Sequence, residues 1–164
     1  MQKLNLGDVK IDAFASPKGV YQVDRREISR HLLQQDADSR QPAFEIEHVL
    51  LPSGKKNFPY HQHATWWELY YIFSGCGTVR TEDGFTKIEA NDCFVFPPGD
   101  PHQIINDSQH DLVYLVVANN TPFDQCYYPD SDKLWFASTV AKGQSAGLTQ
   151  VKSGFTTNYW QDEE

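Results

Sequence analysis

Short stretches of alternating or wholly apolar residues, separated by turns, fill the middle of the chain. From Ala43 onward apolar and acidic side chains alternate, which predicts a half-buried strand. Its apolar side carries Phe44, Ile46, His48 and Leu50, and its opposite side carries Glu45 and Glu47. Residues 69–73 are apolar at every position, which predicts a strand covered on both faces, the outer one by a second sheet or subunit. Turn signals predict further short strands at 78–81, 85–89, 104–105 and 112–118. This regular spacing predicts an all-β fold.

Both ends of the chain lack a sharp motif. The segment from Asp24 to Glu27, ahead of Ile28, Leu32 and Leu33, resembles a helix start, although it equally suits an extra strand that protects a sheet edge. The tail after residue 119 carries aromatic rings that need burial within the fold or across a dimer. The length suits a single domain over residues 1–164, with an N-terminal arm at 1–40, a core at 41–120 and a C-terminal extension at 121–164.

Composition narrows the choice of partners and compartment. A net charge of −8 argues against a general affinity for nucleic acid. No apolar run approaches the length of a membrane span and the first residues lack a signal-peptide core, so we expect a cytoplasmic protein with no membrane contact. Cys76, Cys93 and Cys126 are odd in number and lack CxxC spacing, which favours reduced thiols. Cys93 lies in an apolar run and is predicted to be a small buried residue.

The candidate chemistry is concentrated between residues 60 and 106. His61 and His63 point to one face only if the backbone is extended, because strand side chains alternate between faces. Glu68 has the opposite parity, so it can join them only if residues 64–67 form a bulge or tight loop. His102 follows a loop rich in proline and glycine and is the candidate third imidazole. The remaining histidines are interpreted as a hydrogen-bonded core residue, His48, and two surface residues, His31 and His110.

These residues resemble the two sequence motifs of the cupin superfamily. The first motif is matched, with one extra residue, by Gly54, His61, His63, Glu68 and Gly75. The second motif is matched by Pro97, Gly99, His102 and Asn106, with Asn91 in place of its first glycine. Asparagine tolerates positive φ better than other non-glycine residues, so we expect the turn to be kept. The resemblance covers about residues 41 to 120 and implies a double-stranded β-helix, or jelly-roll barrel.

The resemblance also implies a metal site formed by His61, His63, Glu68 and His102. Three imidazoles and one carboxylate suit one divalent transition metal per chain, such as Mn, Fe, Ni, Co, Cu or Zn, better than calcium or magnesium. An octahedral metal would keep up to two positions open for substrate or water. The opposing interpretation is a barrel whose histidines only form hydrogen bonds.

Several neighbouring residues could shape a pocket. Trp66 and Trp67 could stack on a ring-shaped substrate or pack at the barrel mouth. Lys55, Lys56 and Arg80 could bind a phosphate or carboxylate group of a ligand. The alternative is that these side chains are surface charges in contact with water. Tyr60 and Tyr70 are the candidate catalytic hydroxyls for proton transfer near the metal.

Three functions remain open at this point. The resemblance to small cupins of the sugar-phosphate isomerase kind implies a metal-dependent isomerase acting on a small polar metabolite, such as a sugar or sugar phosphate. The alternatives are a metal-dependent dioxygenase and a non-catalytic cupin that binds a small ligand. The doubly apolar strand at 69–73 and the aromatic tail predict a homodimer.

Overall fold

The computed structural model describes residues 1–32, 43–138, 146–152, 155–156 and 162, and short strands dominate them. The first part contains a 3-10 helix (Leu6–Asp8), β1 (Asp12–Ala15), β2 (Gln22–Glu27) and helix α1 (Ile28–Leu32). The middle contains β3 (Phe44–Leu51), β4 (Gln62–His63), β5 (Glu68–Ser74), β6 (Cys76–Thr81), β7 (Gly84–Glu89), β8 (Cys93–Phe96), β9 (Gln103–Ile105) and β10 (Leu112–Asn119). The last part contains β11 (Phe123–Tyr128), β12 (Lys133–Ser138), β13 (Ala146–Lys152) and β14 (Phe155–Thr156). The predicted all-β class is confirmed.

The strands form three antiparallel sheets that enclose one apolar core. The first sheet has the order β1-β2-β3-β10-β5-β8, the second β14-β13-β12-β11-β4 and the third β7-β6-β9. Buried residues of the first sheet, among them Ile72 and Leu112, pack in one cluster with Val79, Ile88 and Ile104 of the third. The cluster also includes Tyr70, Phe96 and Tyr114, so it extends along the first sheet.

The segment near residue 24 was predicted to be either a helix start or an added edge strand, and the structure contains both. β2 pairs with the edge of β3, with Arg25 opposite Val49, so it protects that strand as an added edge would. Helix α1 then begins at Ile28. Leu33 lies outside the described residues, as do residues 34–40 of the predicted arm and residues 139–145, 153–154, 157–161 and 163–164 of the predicted extension. Among the described residues, no helix is long and apolar enough to cross a membrane.

The predicted orientation of β3 is wrong, because the strand turns its acidic side inward. Phe44 is 47% exposed, whereas Glu47 is only 7% exposed. Val49 and Leu51 share the parity of Glu47 and are anchored in the core, so the register of the whole strand follows them. The side of β3 that carries Phe44, Ile46, His48 and Leu50 is therefore the outer face of the sheet and not its core face.

The outer face of the first sheet is apolar and exposed, so the predicted double covering of residues 69–73 is not met within the described part of the chain. Leu69 and Phe73 are 40% and 47% exposed, whereas Tyr70 and Ile72 between them are buried. Cys93, predicted to be buried, is exposed on the same face, since alternation along β8 turns its neighbours inward.

His48 also lies on this outer face, which corrects its interpretation as a hydrogen-bonded core residue. Its ring stacks on Phe73 with centroids 5.9 Å apart, and its Nδ1 has no hydrogen-bond partner among the described residues. His31 and His110 are exposed, as predicted.

The turn at Asn91 keeps its shape despite the missing glycine. Asn91 has a φ of 77°, which confirms that asparagine replaces glycine in a left-handed conformation. The turn at Gly75 has a stricter requirement, because φ is 84° and a Cβ atom there would collide with the Asp111 carbonyl. These turns bring β5 against both of its neighbours.

Candidate functional site

The backbone brings the four predicted ligands to one end of the fold. His61 and His102 form a reciprocal bridge, in which the His61 amide donates to the His102 carbonyl at 3.2 Å and the reverse bond measures 2.8 Å. His63 lies on β4, and Glu68 begins β5 after residues 64–67, which form no strand. The predicted change of direction between His63 and Glu68 is therefore confirmed.

The three imidazoles are oriented by the partners of their Nδ1 atoms. Nδ1 of His61 lies 2.8 Å from the Pro59 carbonyl, that of His63 lies 2.6 Å from Asp124 Oδ2, and that of His102 lies 3.1 Å from the Asp100 carbonyl. Carbonyl and carboxylate oxygens accept hydrogen bonds, so each Nδ1 carries a proton and donates it. Nε2 is thereby the ring nitrogen left to face the other members of the cluster, which is the arrangement that metal-binding histidines adopt.

The Nε2 atoms face the carboxylate of Glu68. His102 Nε2 lies 2.8 Å from Glu68 Oε2, and His63 Nε2 lies 3.9 Å from Glu68 Oε1. The ligand atoms of His61, Glu68 and His102 all lie within 4.8 Å of one another, and those of His61, His63 and Cys126 form a second such group. His61 belongs to both groups, so the described chain offers a continuous set of nitrogen, oxygen and sulfur donors.

The charges in this cluster favour a cation. Burial, reinforced by His102 and His63, lowers the pKa of His61 to about 3, so this ring is neutral near pH 7. Burial alone would raise the pKa of Glu68, but His63 and the hydrogen-bonded His102 outweigh it and hold that pKa below its ordinary value. An ionised carboxylate among imidazole lone pairs fits a divalent transition metal, which the donor set is chemically able to hold.

Aromatic rings fix the positions of two of these histidines. The Phe96 ring lies parallel to His102, with centroids 4.0 Å apart and an interplanar angle of 2°. The Trp66 ring stacks on His63 at 4.8 Å, which gives this tryptophan a place at the site, whereas Trp67 is 53% exposed. Packing of this kind restricts the rotation of a ligand before a metal binds.

Asp124 is a site residue that the motifs do not reveal. It is fully buried on β11, and besides His63 it accepts hydrogen bonds from the Thr65 amide and hydroxyl, each at 2.9 Å. Alternating burial along β11 places Asp124, Cys126 and Tyr128 inward together. An aspartate among the aromatic residues of a strand was the one sign in the sequence that Asp124 has a role. Its partner lies on β4, and no sequence pattern identifies the pairing of β11 with β4.

A cavity of about 380 Å³ opens beside the cluster. His61, His63 and Glu68 of the cluster line it. The rest of the lining comes from both larger sheets and from the loops on either side of β4, and includes Arg25, Glu45, Glu47, Val49, Asn57, Phe58, Trp66, Tyr70, Tyr114, Val116, Ala118, Cys126, Tyr128 and Trp135. Its size and mixed lining are those of small-molecule sites.

The wall opposite the cluster is acidic. Arg25 donates to Asp12 Oδ2 through Nε at 2.9 Å and approaches Glu47 Oε1 through Nη1 at 3.3 Å. Burial raises the pKa of Glu47 to about 8 against the opposing charge of Arg25, with Glu45 adding to the rise. Burial also raises the pKa of Glu45.

The structure separates the two candidate catalytic tyrosines. Tyr70 lines the cavity, and its hydroxyl donates to Glu68 Oε2 at 3.2 Å. Burial raises its pKa well above the ordinary value, so the phenol stays protonated. Tyr60 is absent from the cavity lining, and its ring instead lies under the Arg80 guanidinium, 3.9 Å from centroid to carbon.

The three candidate anion-binding cations lie away from the cavity. Arg80 forms a two-pronged ion pair with Asp130, at 2.5 and 2.7 Å. Lys55 donates to the Gly19 carbonyl at 2.7 Å, and neither Lys55 nor Lys56 lines the cavity. The structure therefore does not bring these side chains to the proposed ligands.

Comparison with known proteins agrees with this architecture. Residues 47–118 match the family model of the cupin domain. No curated protein matches the sequence. The fold is similar to that of a sugar phosphate isomerase of the cupin superfamily from Silicibacter pomeroyi, with a TM-score of 0.77 and 20% identity over 99% of each chain.

Two further structures show that proteins with different names share this fold. A candidate sugar phosphate isomerase from Acidithiobacillus ferrooxidans has a TM-score of 0.71 and 22% identity, over 82% of this chain and 83% of that one. The polyketide cyclase RemF from Streptomyces resistomycificus has a TM-score of 0.59 and 20% identity, over 73% and 79%. Such identities show a shared fold and leave the activity open. With both motifs, the matching domain at residues 47–118 and the likeness to cupin structures in place, this chain has the cupin fold.

Proposed function

We propose that this cupin is a metal-dependent isomerase of a small polar metabolite, a sugar or sugar phosphate, with His61, His63, Glu68 and His102 as the metal ligands. The observation that carries the proposal is the set of three imidazoles whose Nδ1 atoms are all engaged by acceptors beside a cavity. The Nε2 atoms of His63 and His102 face the carboxylate of Glu68, and His61 lies in the same cluster. A bound divalent metal would supply a Lewis acid at that point.

The chain's own residues supply binding and proton control. Tyr70 stays protonated and donates to Glu68, so it fixes the carboxylate and can offer its proton to a substrate oxygen. The stacked rings of Trp66 and Phe96 exclude water from two of the imidazoles. Aldose–ketose isomerisation moves one proton between neighbouring carbons and one between their oxygens, and it needs no oxidant. A cavity lined by Tyr70, Glu45 and Glu47 beside the ligand cluster offers groups that can exchange protons.

The metal assignment is tested by the metal content and activity of purified variants. We expect about one transition-metal ion per wild-type chain, and a large loss of metal from His102→Ala and from His63→Ala, because each removes a ligand. His110→Ala removes an exposed histidine and serves as the control. Chelation should abolish turnover and lower the melting temperature, since a metal held only by the folded state stabilises it.

Unchanged metal content in both ligand variants contradicts the assignment. The reaction class is tested separately, by screening sugars, sugar phosphates and keto acids under air and under nitrogen. Isomerisation proceeds equally in both atmospheres, whereas stoichiometric oxygen consumption identifies a dioxygenase. Tight binding with no chemistry in either atmosphere identifies a binding protein.

We also propose that two chains associate through the outer face of the first sheet. Ile46, Val117, Leu69 and Val95 are direct neighbours across β3, β10, β5 and β8. A continuous apolar row of this kind is typical of a protein interface, and soluble homo-oligomers favour twofold symmetry.

A further inference from the structure

The distance between the ligand cluster and the acidic wall is set by the register of the first sheet. Glu45 lies opposite Ala118 of β10, and Ala118 lies opposite Glu68 of β5. Neighbouring strands are about 4.8 Å apart, so the backbones at Glu45 and Glu68 are separated by roughly 10 Å. The small side chain of Ala118 between them leaves the cavity floor open. A molecule that reaches Glu68 and its histidines with one end therefore meets Glu45 with the other.

The next row of the sheet repeats this arrangement. Glu47 lies opposite Val116, which in turn lies opposite Tyr70. Glu47 is only 7% exposed, yet its carboxyl group lines the cavity. The far wall thus presents two carboxyl groups to whatever the cavity holds.

Among the described residues, the far wall has no cation that is free to bind an anionic ligand. Arg25 is the sole lysine or arginine among the described residues that line the cavity. Asp12, 2.8 Å from its Nη2, already balances its charge, and Glu47 is a second acidic neighbour. Glu45 and Glu47 add neutral or negative carboxyl groups, depending on their protonation. A phosphate dianion at this wall would lose its water without gaining a free cation.

We infer that the cavity selects an unphosphorylated, polyhydroxylated substrate, whose hydroxyl groups far from the metal bind the carboxyl groups of Glu45 and Glu47. Carboxyl oxygens accept hydrogen bonds from hydroxyl groups in any protonation state, and Arg25 holds Glu47 in place from behind. This inference rests on the proposed function and narrows it to the free sugar. The same wall offers no free cation to the terminal phosphate of the corresponding sugar phosphate.

The test is a paired measurement on the metal-loaded wild-type protein. Calorimetric titration gives Kd, and turnover gives kcat/KM, for a panel of free pentoses and hexoses and for the terminal phosphate ester of each. We expect the free sugar to be preferred over its own phosphate by at least about tenfold, because the phosphate would lose its water at a wall with no free cation.

Glu45→Gln keeps the shape of the side chain and removes its negative charge. We expect this variant to lower the preference severalfold, with weaker binding of the free sugar and no change in metal content. Glu27→Gln is the matched control, because carboxylate oxygens of Glu27, Glu45 and Glu47 lie within 4.8 Å of one another but Glu27 does not line the cavity. It should leave the preference unchanged.

The outcomes separate this inference from the proposed function. Preferential binding of free sugars without turnover supports the selectivity and overturns the isomerase. Turnover with the phosphate esters preferred overturns the selectivity and leaves the isomerase standing. A preference that Glu45→Gln and Glu27→Gln alter equally shows that the wall acts through general charge and overturns the assigned contact, and failure to bind either class overturns both proposals.

Discussion

A single hydrogen bond decides what His63 can bind. Asp124 accepts a hydrogen bond from the Nδ1–H of His63 at 2.6 Å and is itself held by the Thr65 amide and hydroxyl. The carboxylate therefore fixes the tautomer and the angle of the ring at once, and it increases the basicity of Nε2. Its effect on a metal would be transmitted through His63, so Asp124 is a positioning residue.

Asp124→Asn should weaken metal binding by about 10- to 100-fold, because an amide can present its NH₂ group to Nδ1 and permit the wrong tautomer. The measurement is the metal Kd by competition with a chelating dye. Asp130→Asn is the control, since that carboxylate pairs with Arg80 away from the cluster. Equal metal affinity in Asp124→Asn and the wild type would show that the hydrogen bond only supports the fold.

At the scale of a strand, β3 shows where sequence reasoning reaches its limit. The alternation of residues 44–51 identified the strand correctly but assigned its faces in the wrong order, because a binary pattern contains no reference to the interior. Val49 and Leu51 provide that reference once the fold is known. The acidic residues then occupy the cavity end of the inner face, where function overrides the usual preference for apolar side chains.

Local geometry was more predictable than pairing. The spacing of His61, His63 and Glu68 required a strand followed by a change of direction, and Asn91 required a left-handed turn, and both occur. The contacts of Asp124 with His63 and of Arg25 with Glu47 join distant strands. They depend on sheet register, which is a property of the whole chain and not of any local segment.

The inward side of β3 also predicts a pH dependence of stability. Because burial raises the pKa of Glu47 to about 8, the folded state binds more protons than the unfolded state above the ordinary carboxyl pKa. Glu47 therefore lowers the free energy of unfolding progressively as pH rises from the ordinary carboxyl pKa to about 8. Above about pH 8 the effect is complete.

Glu47→Gln removes this dependence, so we expect the variant to gain stability over the wild type between about pH 5 and about pH 9, on the order of 1–3 kcal/mol. Urea unfolding at both pH values measures the change. Glu82→Gln, at an exposed carboxylate, is the control. A difference between Glu47→Gln and the wild type that stays constant with pH would contradict the raised pKa.

At the scale of the whole molecule, the outer face of the first sheet is an apolar surface that no other described part of the chain covers. Phe44 of β3, Leu69 and Phe73 of β5 and Val95 of β8 are each between 40% and 48% exposed. Val117 of β10 joins them, because it lies between Ile46 of β3 and Leu69. Lone exposed apolar residues are common, whereas a row across four strands is costly to leave in water. The face therefore supports association of two copies.

Light scattering at micromolar concentration should give the mass of a dimer. Phe73→Asp should give a monomer with an unchanged circular dichroism spectrum, because the ring is nearly half exposed and its removal leaves the core intact. Phe85→Asp is the control, since Phe85 is 71% exposed but lies on β7 in the third sheet. A monomeric wild type would refute the dimer.

The reciprocal bridge between His61 and His102 has a consequence for how the protein is made. The two residues come from separate motifs, and Asp124 follows both of them in the chain. During synthesis from the N-terminus, the complete ligand set and its supporting carboxylate exist only after β11 has left the ribosome. Long-range closure of this kind is slow compared with local folding. We therefore expect the proposed site to capture its metal after the barrel has closed.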